Sequence, residues 1–232
     1  EGQFMAVLHN KLPCAPRWVE KKKSAGKMDP IVMDFLKDTL VYYDDADFLH
    51  HNKRYGVWQA KKKCKDLIVV PPHYEEYIKY SKLARSIYSR YTDQVEPYGM
   101  DECWLDISGT ENIFGSPEYV ANEIKETIKF ELGLTISVGV SFNKVFAKLG
   151  SDMKKPDAIT VITADDFKNQ IWDLPASDML GVGRATQKIL DSYCINTIGE
   201  LANTSPTFLK ARLGKNGISL WQFAIQQMFV PI

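Results

Sequence analysis

Glu96-Pro97-Tyr98-Gly99-Met100-Asp101-Glu102-Cys103-Trp104-Leu105-Asp106 sets two acids side by side in an otherwise apolar stretch. Residues of a strand alternate between faces, so Asp101 and Glu102 point apart unless they stand at a strand end or a tight turn. Gly99 supplies the backbone freedom for such a turn, where both carboxylates can converge on one point. Convergent carboxylates in a polar cleft suit Mg²⁺, a hard cation that also keeps waters and substrate phosphates as ligands. Two such ions can clamp the attacking and leaving oxygens of a phosphoryl transfer. The competing reading is a pair of solvated loop acids, and the spacing alone leaves both open. The neighbours Met100, Cys103, Trp104 and Leu105 weigh against it, because unpaired charge is costly to bury.

Outward from this stretch, the periodicity sets the elements. Tyr77, Tyr80, Leu83, Ala84, Ile87 and Tyr88 recur at spacings of three and four and predict a helix over 73–90. Residues 98–107 alternate as one strand, which Gly109 ends. A helix is predicted over 112–132, with Val120, Ile124, Ile128 and Leu132 on one face and Gly133 at its C-terminal cap. Strands follow at 134–140 and 158–162, separated by a short helix over 141–152 with a basic face. Upstream, 58–64 reads as a helix end, and Leu67-Ile68-Val69-Val70 as a short buried strand stopped by Pro71-Pro72. After Thr163 the strands disappear and only short helices remain. The order predicts an α+β sheet with helices packed on one face, followed by an all-α unit.

Charge and composition exclude several classes. In 232 residues, 29 basic side chains meet 29 acidic ones, so a uniformly basic nucleic-acid coat is ruled out while local basic patches are not. No apolar run reaches the roughly 18–20 residues of a membrane helix, and no signal-peptide pattern opens the chain. Cys14, Cys64, Cys103 and Cys194 lie far apart with no CxxC pair, which fits neither a zinc site nor a disulfide scaffold and suits a reducing cytoplasm. Residues 1–57 show no clean period, only a basic run at 20–23 and an acidic cluster at Asp44, Asp45 and Asp47. The first residue is Glu and not Met, so a fragment or trimmed chain is the expectation.

Four ordered segments resemble the Y-family, or translesion, DNA polymerases of the UmuC/DinB type. PYGMDECWLD (97–106) is similar to that family's second carboxylate motif. LTISVGVSFNKVFAKLGSDMKKP (134–156) is similar to its palm strand, helix and Lys-Pro turn. LIVVPPHYEEYIKYS (67–81) resembles its fingers-to-palm junction, and GVGRATQKIL (181–190) its thumb. The resemblance implies a right-hand polymerase: partial or degenerate fingers in 1–72, an antiparallel palm sheet with helices on one face in 73–163, and an all-α thumb with a helix-hairpin-helix in 164–232. It implies template-directed nucleotidyl transfer past damaged bases, in DNA repair and the SOS response, with Mg²⁺ as cofactor. Primer-template DNA and deoxynucleoside triphosphates are the implied partners. A sliding clamp is a further one, through a tail that this chain does not include.

Carried over by motif position, Asp101 and Glu102 are metal ligands and catalytic, and Lys155 contacts the incoming triphosphate. Lys53, in HNKRYGV, occupies a basic triphosphate-contacting position of the fingers, although the family's tyrosine partner falls at His50. Gly181, Gly183, Arg184, Thr186 and Lys188 form the DNA-binding hairpin: the glycines allow close approach and the helix start offers free N–H groups to phosphate. Thr197 is a candidate cap for the next helix, Cys194 replaces the glycine usual before Ile195, and Trp221 and Phe223 read as core residues.

The departures concern the first catalytic strand and the end of the chain. The family opens with a strand that bears the first metal-binding Asp. Phe4-Met5-Ala6 and Leu8-His9-Asn10 resemble the segment just after it, which places that strand upstream of Glu1. Tyr43-Asp44-Asp45-Ala46-Asp47-Phe48 is a poor substitute, since too few residues separate it from HNKRYGV. The family's little-finger domain is expected to be absent after Ile232. Two alternatives stand beside a polymerase. A non-catalytic DNA-binding remnant would use the thumb hairpin alone, and a nucleotide cyclase-like palm would have no use for that hairpin.

Overall fold

The computed structural model describes residues 4–9, 62 and 74–226. Glu1–Asn10 and Lys82–Ile232 form one compact unit, and Lys11–Ser81 a second. Five strands build one sheet in the first unit: β1 (Phe4–His9), β2 (Val95–Tyr98), β3 (Glu102–Asp106), β4 (Ile136–Ser141) and β5 (Ile159–Ile162), in the order β2-β3-β1-β4-β5. β1 runs antiparallel to both β3 and β4, and β4 runs parallel to β5. The described helices are α1 (Tyr74–Tyr88), α2 (Glu111–Phe114), α3 (Pro117–Leu132), α4 (Lys144–Met153), α5 (Phe167–Ile171), α6 (Arg184–Ser192), α7 (Ile198–Asn203), α8 (Pro206–Leu213) and α9 (Lys215–Ala224).

Local chemistry accounts for the boundaries. Ser116 caps α3 by accepting the Tyr119 N–H, with Pro117 in the first turn, where a missing N–H costs nothing. Asn143 caps α4, its Oδ1 accepting the Phe146 N–H at 2.8 Å. α4 is the crossover between parallel β4 and β5, and it lies directly on β4 at Gly139. A Cβ there would stand 1.9 Å from the Ala147 carbonyl oxygen and 2.5 Å from the Ser151 nitrogen. Only glycine permits that approach.

The expected antiparallel sheet is mixed, because α4 carries the chain from β4 to a parallel β5, and further expectations change as well. The sheet has helices on both faces rather than one. Trp104 packs toward α4 with Ala147, whereas the next residue on the alternate face, Cys103, lies near Arg85 and Tyr88 of α1. All six residues of β4 are buried, as a strand covered on both sides requires. The single strand expected over 98–107 is a hairpin, broken at Gly99–Asp101. Residues 4–9 do not belong with the rest of 1–72, because they hydrogen-bond into the middle of the sheet. The expected helix over 112–132 is also interrupted at Gly115, which leaves the short α2 before α3.

The helical segment after β5 shares its core with α4. Val145, Phe146 and Leu149 pack with Phe167, Ile171, Met179, Leu190, Ile195, Ile198, Leu201, Leu209 and Leu220. Phe146 stacks on Phe167 with centroids 5.4 Å apart. Trp221 and Phe223 pack against this core as expected, and Trp221 Nε1–H donates to the Ala202 carbonyl at 3.1 Å. Among the described residues no helix is long and apolar enough to cross a membrane.

Candidate active site

Tyr98 pairs with Glu102 across the β2–β3 ladder, so Gly99, Met100 and Asp101 form the turn, with Gly99 at φ 74°. The turn puts exposed Asp101 next to half-buried Glu102 at the mouth of the hairpin. Desolvation pushes the Glu102 carboxyl above its ordinary range; Lys148 pulls it back, while Asp101 and Asp152 push it further up. Lys148 Nζ lies 3.4 Å from Glu102 Oε1, and Oε2 is buried with no hydrogen-bond partner among the described residues. A buried carboxylate oxygen without a donor is the kind of group a divalent cation satisfies. Mg²⁺ takes one or two carboxylates from protein when substrate phosphates and waters supply the rest, so the pair Asp101 and Glu102 fits that ion. Among the described residues no group of three or more His, Cys, Asp and Glu side chains is placed to hold a metal.

β1 holds the central place in the sheet, beside the carboxylate hairpin. Phe4–His9 fills the place between β3 and β4, with Leu8 paired to Glu102 on one side and to Ser137 on the other. None of its six residues is an acid. Both edges of β1 are thus paired within the sheet.

α4 aims its basic side at the hairpin. Lys148 also donates to Asp152 Oδ2 at 2.5 Å, and Lys155 pairs with Asp152 Oδ1. Burial by itself raises the Asp152 carboxyl, but the hydrogen bonds from Lys148 and Lys155 outweigh it and leave it below its ordinary value. One turn earlier, Lys144 is 5% exposed, with Nζ 2.7 Å from both oxygens of Glu96. The same ammonium stands 4.6 Å from the Trp104 ring centre, and Trp104 Nε1–H donates to the Lys144 carbonyl at 3.0 Å. Tyr98 rests against that indole, centroids 4.7 Å apart. The hairpin is thus fastened to the start of α4 on one side of its carboxylates.

The second group of expected residues lies at the start of α6. Gly181 has φ 93°, Gly183 is the N-cap without any side-chain cap, and Arg184 and Lys188 are exposed. Thr186 is half-buried. Leu180, just before this turn, packs on Trp104 and Ala147. Thr197 caps α7 in a full capping box: Glu200 N–H donates to Thr197 Oγ1 at 3.1 Å, and Glu200 Oε2 accepts the Thr197 N–H at 3.0 Å. Cys194 keeps the left-handed backbone of the glycine it replaces, at φ 57°. Lys53, His50 and the 43–48 cluster lie outside the described residues.

Sequence reasoning brought Asp101, Glu102 and Lys155 forward and missed Glu96, Lys144, Lys148 and Asp152. The last three carry a signal, since 144, 148 and 152 repeat every fourth residue along one side of α4. Glu96 carries none: only the sheet register brings it to Lys144.

Residues 53–152 match the family model for the impB/mucB/samB (IMS) family. DNA polymerase IV of Acetivibrio thermocellus is 58% identical over 168 residues, which cover 72% of this chain and 42% of that protein. The chain is a relative of the Y-family DNA polymerases. DNA polymerase IV 2 of Bacillus subtilis, 37% identical over 179 residues, covers 76% of the chain and 43% of its own length. The chain therefore spans less than half the length of these curated relatives. Its fold is also that of solved Y-family enzymes. The DinB-family error-prone DNA polymerase from Sulfolobus solfataricus superposes with a TM-score of 0.77 at 20% identity, over 99% of this chain and 68% of that one. A Y-family polymerase chimera gives 0.74 at 20% identity, over 99% and 69%.

Proposed function

We propose that this chain carries the nucleotidyl-transfer centre of a translesion DNA polymerase, with residues 73–163 as palm and 164–232 as thumb. The observation that supports it most is the tight β2–β3 turn, which sets Asp101 beside Glu102 and leaves a carboxylate oxygen buried without a donor. Asp101 and Glu102 would hold Mg²⁺. When bound, that ion supplies charge neutralisation of the triphosphate and of the developing oxyanion. Lys155 binds the incoming triphosphate as a flexible point charge, with Lys53 as a second contact. The uncapped N–H groups at the start of α6, reached through Gly181 and Gly183, bind a DNA phosphate, assisted by Arg184, Thr186 and Lys188. Such contacts hold the duplex without reading its sequence. The partners in this reading are primer-template DNA and deoxynucleoside triphosphates, with a sliding clamp as a further one, and the setting is lesion bypass in the cytoplasm.

A second reading has its own observation. β1 occupies the central position beside Glu102 and bears no acid, so the described residues supply two carboxylates where a third is expected. A DNA-binding chain without chemistry is consistent with that. Primer extension on a primed template with Mg²⁺ separates the two. Nucleotide addition that is lost in Asp101→Ala supports the polymerase. Salt-sensitive DNA binding with no addition supports the binding chain.

A further inference from the structure

Four groups of alternating sign run from the carboxylate hairpin to the Lys-Pro turn: Glu102, Lys148, Asp152 and Lys155. Asp152 stands in the middle, one oxygen on Lys148 and the other on Lys155. The turn after Lys155 is fastened from a different side. Asp157, at φ 56°, pairs with Lys129 of α3 at 2.7 Å and lies 3.7 Å from Lys125. The backbone at Lys155 is therefore held independently of its own ammonium.

We propose that Asp152 is a stand-in anion for Lys155: it keeps that ammonium beside the hairpin until a nucleoside triphosphate takes its place, and so limits how tightly the polyphosphate binds. The inference rests on the reading of Lys155 as a triphosphate contact. The Lys155 and Asp152 side chains are 37% and 41% exposed, and a pair so open to water is weak and easily exchanged. A triphosphate offers several negative charges against the single one of Asp152. When Lys155 leaves, Asp152 is not stranded, because its other oxygen stays on Lys148. Lys148 in turn bridges Asp152 and Glu102, so the exchange at Lys155 leaves the hairpin's own cation in place.

The test is equilibrium binding of a non-hydrolysable α,β-imido deoxynucleoside triphosphate to the full chain, in five forms: wild type, Asp152→Asn, Asp152→Glu, Lys155→Ala and the Asp152→Asn/Lys155→Ala double variant. Asp152→Asn is expected to tighten binding about fivefold, the weight of one nearby charge in water. Lys155→Ala is expected to weaken binding, and in that background Asp152→Asn changes affinity by less than about twofold. Asp152→Glu, which keeps the charge and the pair, is expected to bind as wild type does. Weaker or unchanged binding in Asp152→Asn, with Lys155→Ala still weakening it, overturns this inference and leaves the Lys155 contact standing. No effect of Lys155→Ala overturns both. If Asp152→Asn fails to fold, Asp152→Ser carries the same expectations.

Discussion

Lys144 Nζ sits 2.7 Å from both carboxylate oxygens of Glu96, 48 positions away in sequence, and the same ammonium covers the face of Trp104. The pair joins the strand that enters the carboxylate turn to the first residue of α4. Its ammonium is almost wholly buried, so the carboxylate is what makes that burial tolerable. Glu96→Ala is expected to destabilise the fold by about 2 kcal/mol in urea unfolding, below the range for a fully buried pair because Glu96 is partly exposed. Glu96→Ala combined with Lys144→Met should recover most of that loss. A double variant no better than the single one would contradict the account.

The contact between β4 and α4 is backbone against backbone at Gly139. Gly139→Ala forces its methyl group into the Ala147 carbonyl, and no side-chain rotation relieves that. We expect a loss of at least about 3 kcal/mol, or no folded product. Circular dichroism and thermal unfolding read it directly. Near-normal stability would mean that the helix does not lie on the strand at this depth.

Cys194 pays for a left-handed backbone that glycine adopts freely. Cys194→Gly is expected to stabilise the chain by about 0.5–1 kcal/mol, the strain relieved less the added freedom of the unfolded glycine. The thiol is exposed and the helical hairpin around it is otherwise intact, with its capping box in place. A destabilised Cys194→Gly variant would show that the side chain contributes packing.

Glu102 gives a pH dependence of defined sign. Its folded carboxyl titrates above the ordinary value, chiefly through desolvation. Between the unfolded and folded values the folded chain holds more protons, so stability falls as pH rises through that window and the full penalty applies above it. Glu102→Gln removes the penalty. It is expected to raise stability at neutral pH by about 1 kcal/mol or less and to change nothing near about pH 3. A variant less stable than wild type at neutral pH would mean that the Lys148 pair outweighs desolvation.

Much of this was legible in the sequence, and the unread parts share a cause. The Asp101–Glu102 turn is local: Gly99 and two adjacent acids among apolar residues announce it. The cap at Thr197 and the α6 start are local as well. β1 was not legible, because its place between β3 and β4 depends on pairing with residues about a hundred positions away. Nor was the covering of both sheet faces, since alternation along β3 and β4 shows which residues are buried and not which helix buries them. Glu96 escaped for the same reason: a lone acid beside a proline has no pattern until the register brings it to Lys144.

The claim that the hairpin carboxylates form a divalent-cation site is tested most directly without any substrate. Mn²⁺ titrated into the full chain, with the free ion followed by electron paramagnetic resonance, counts bound ions on wild type, Asp101→Asn and Glu102→Gln. The account predicts saturable binding on the wild type that both substitutions abolish, with thermal unfolding showing that both remain folded. Equal Mn²⁺ binding by all three folded chains would contradict it.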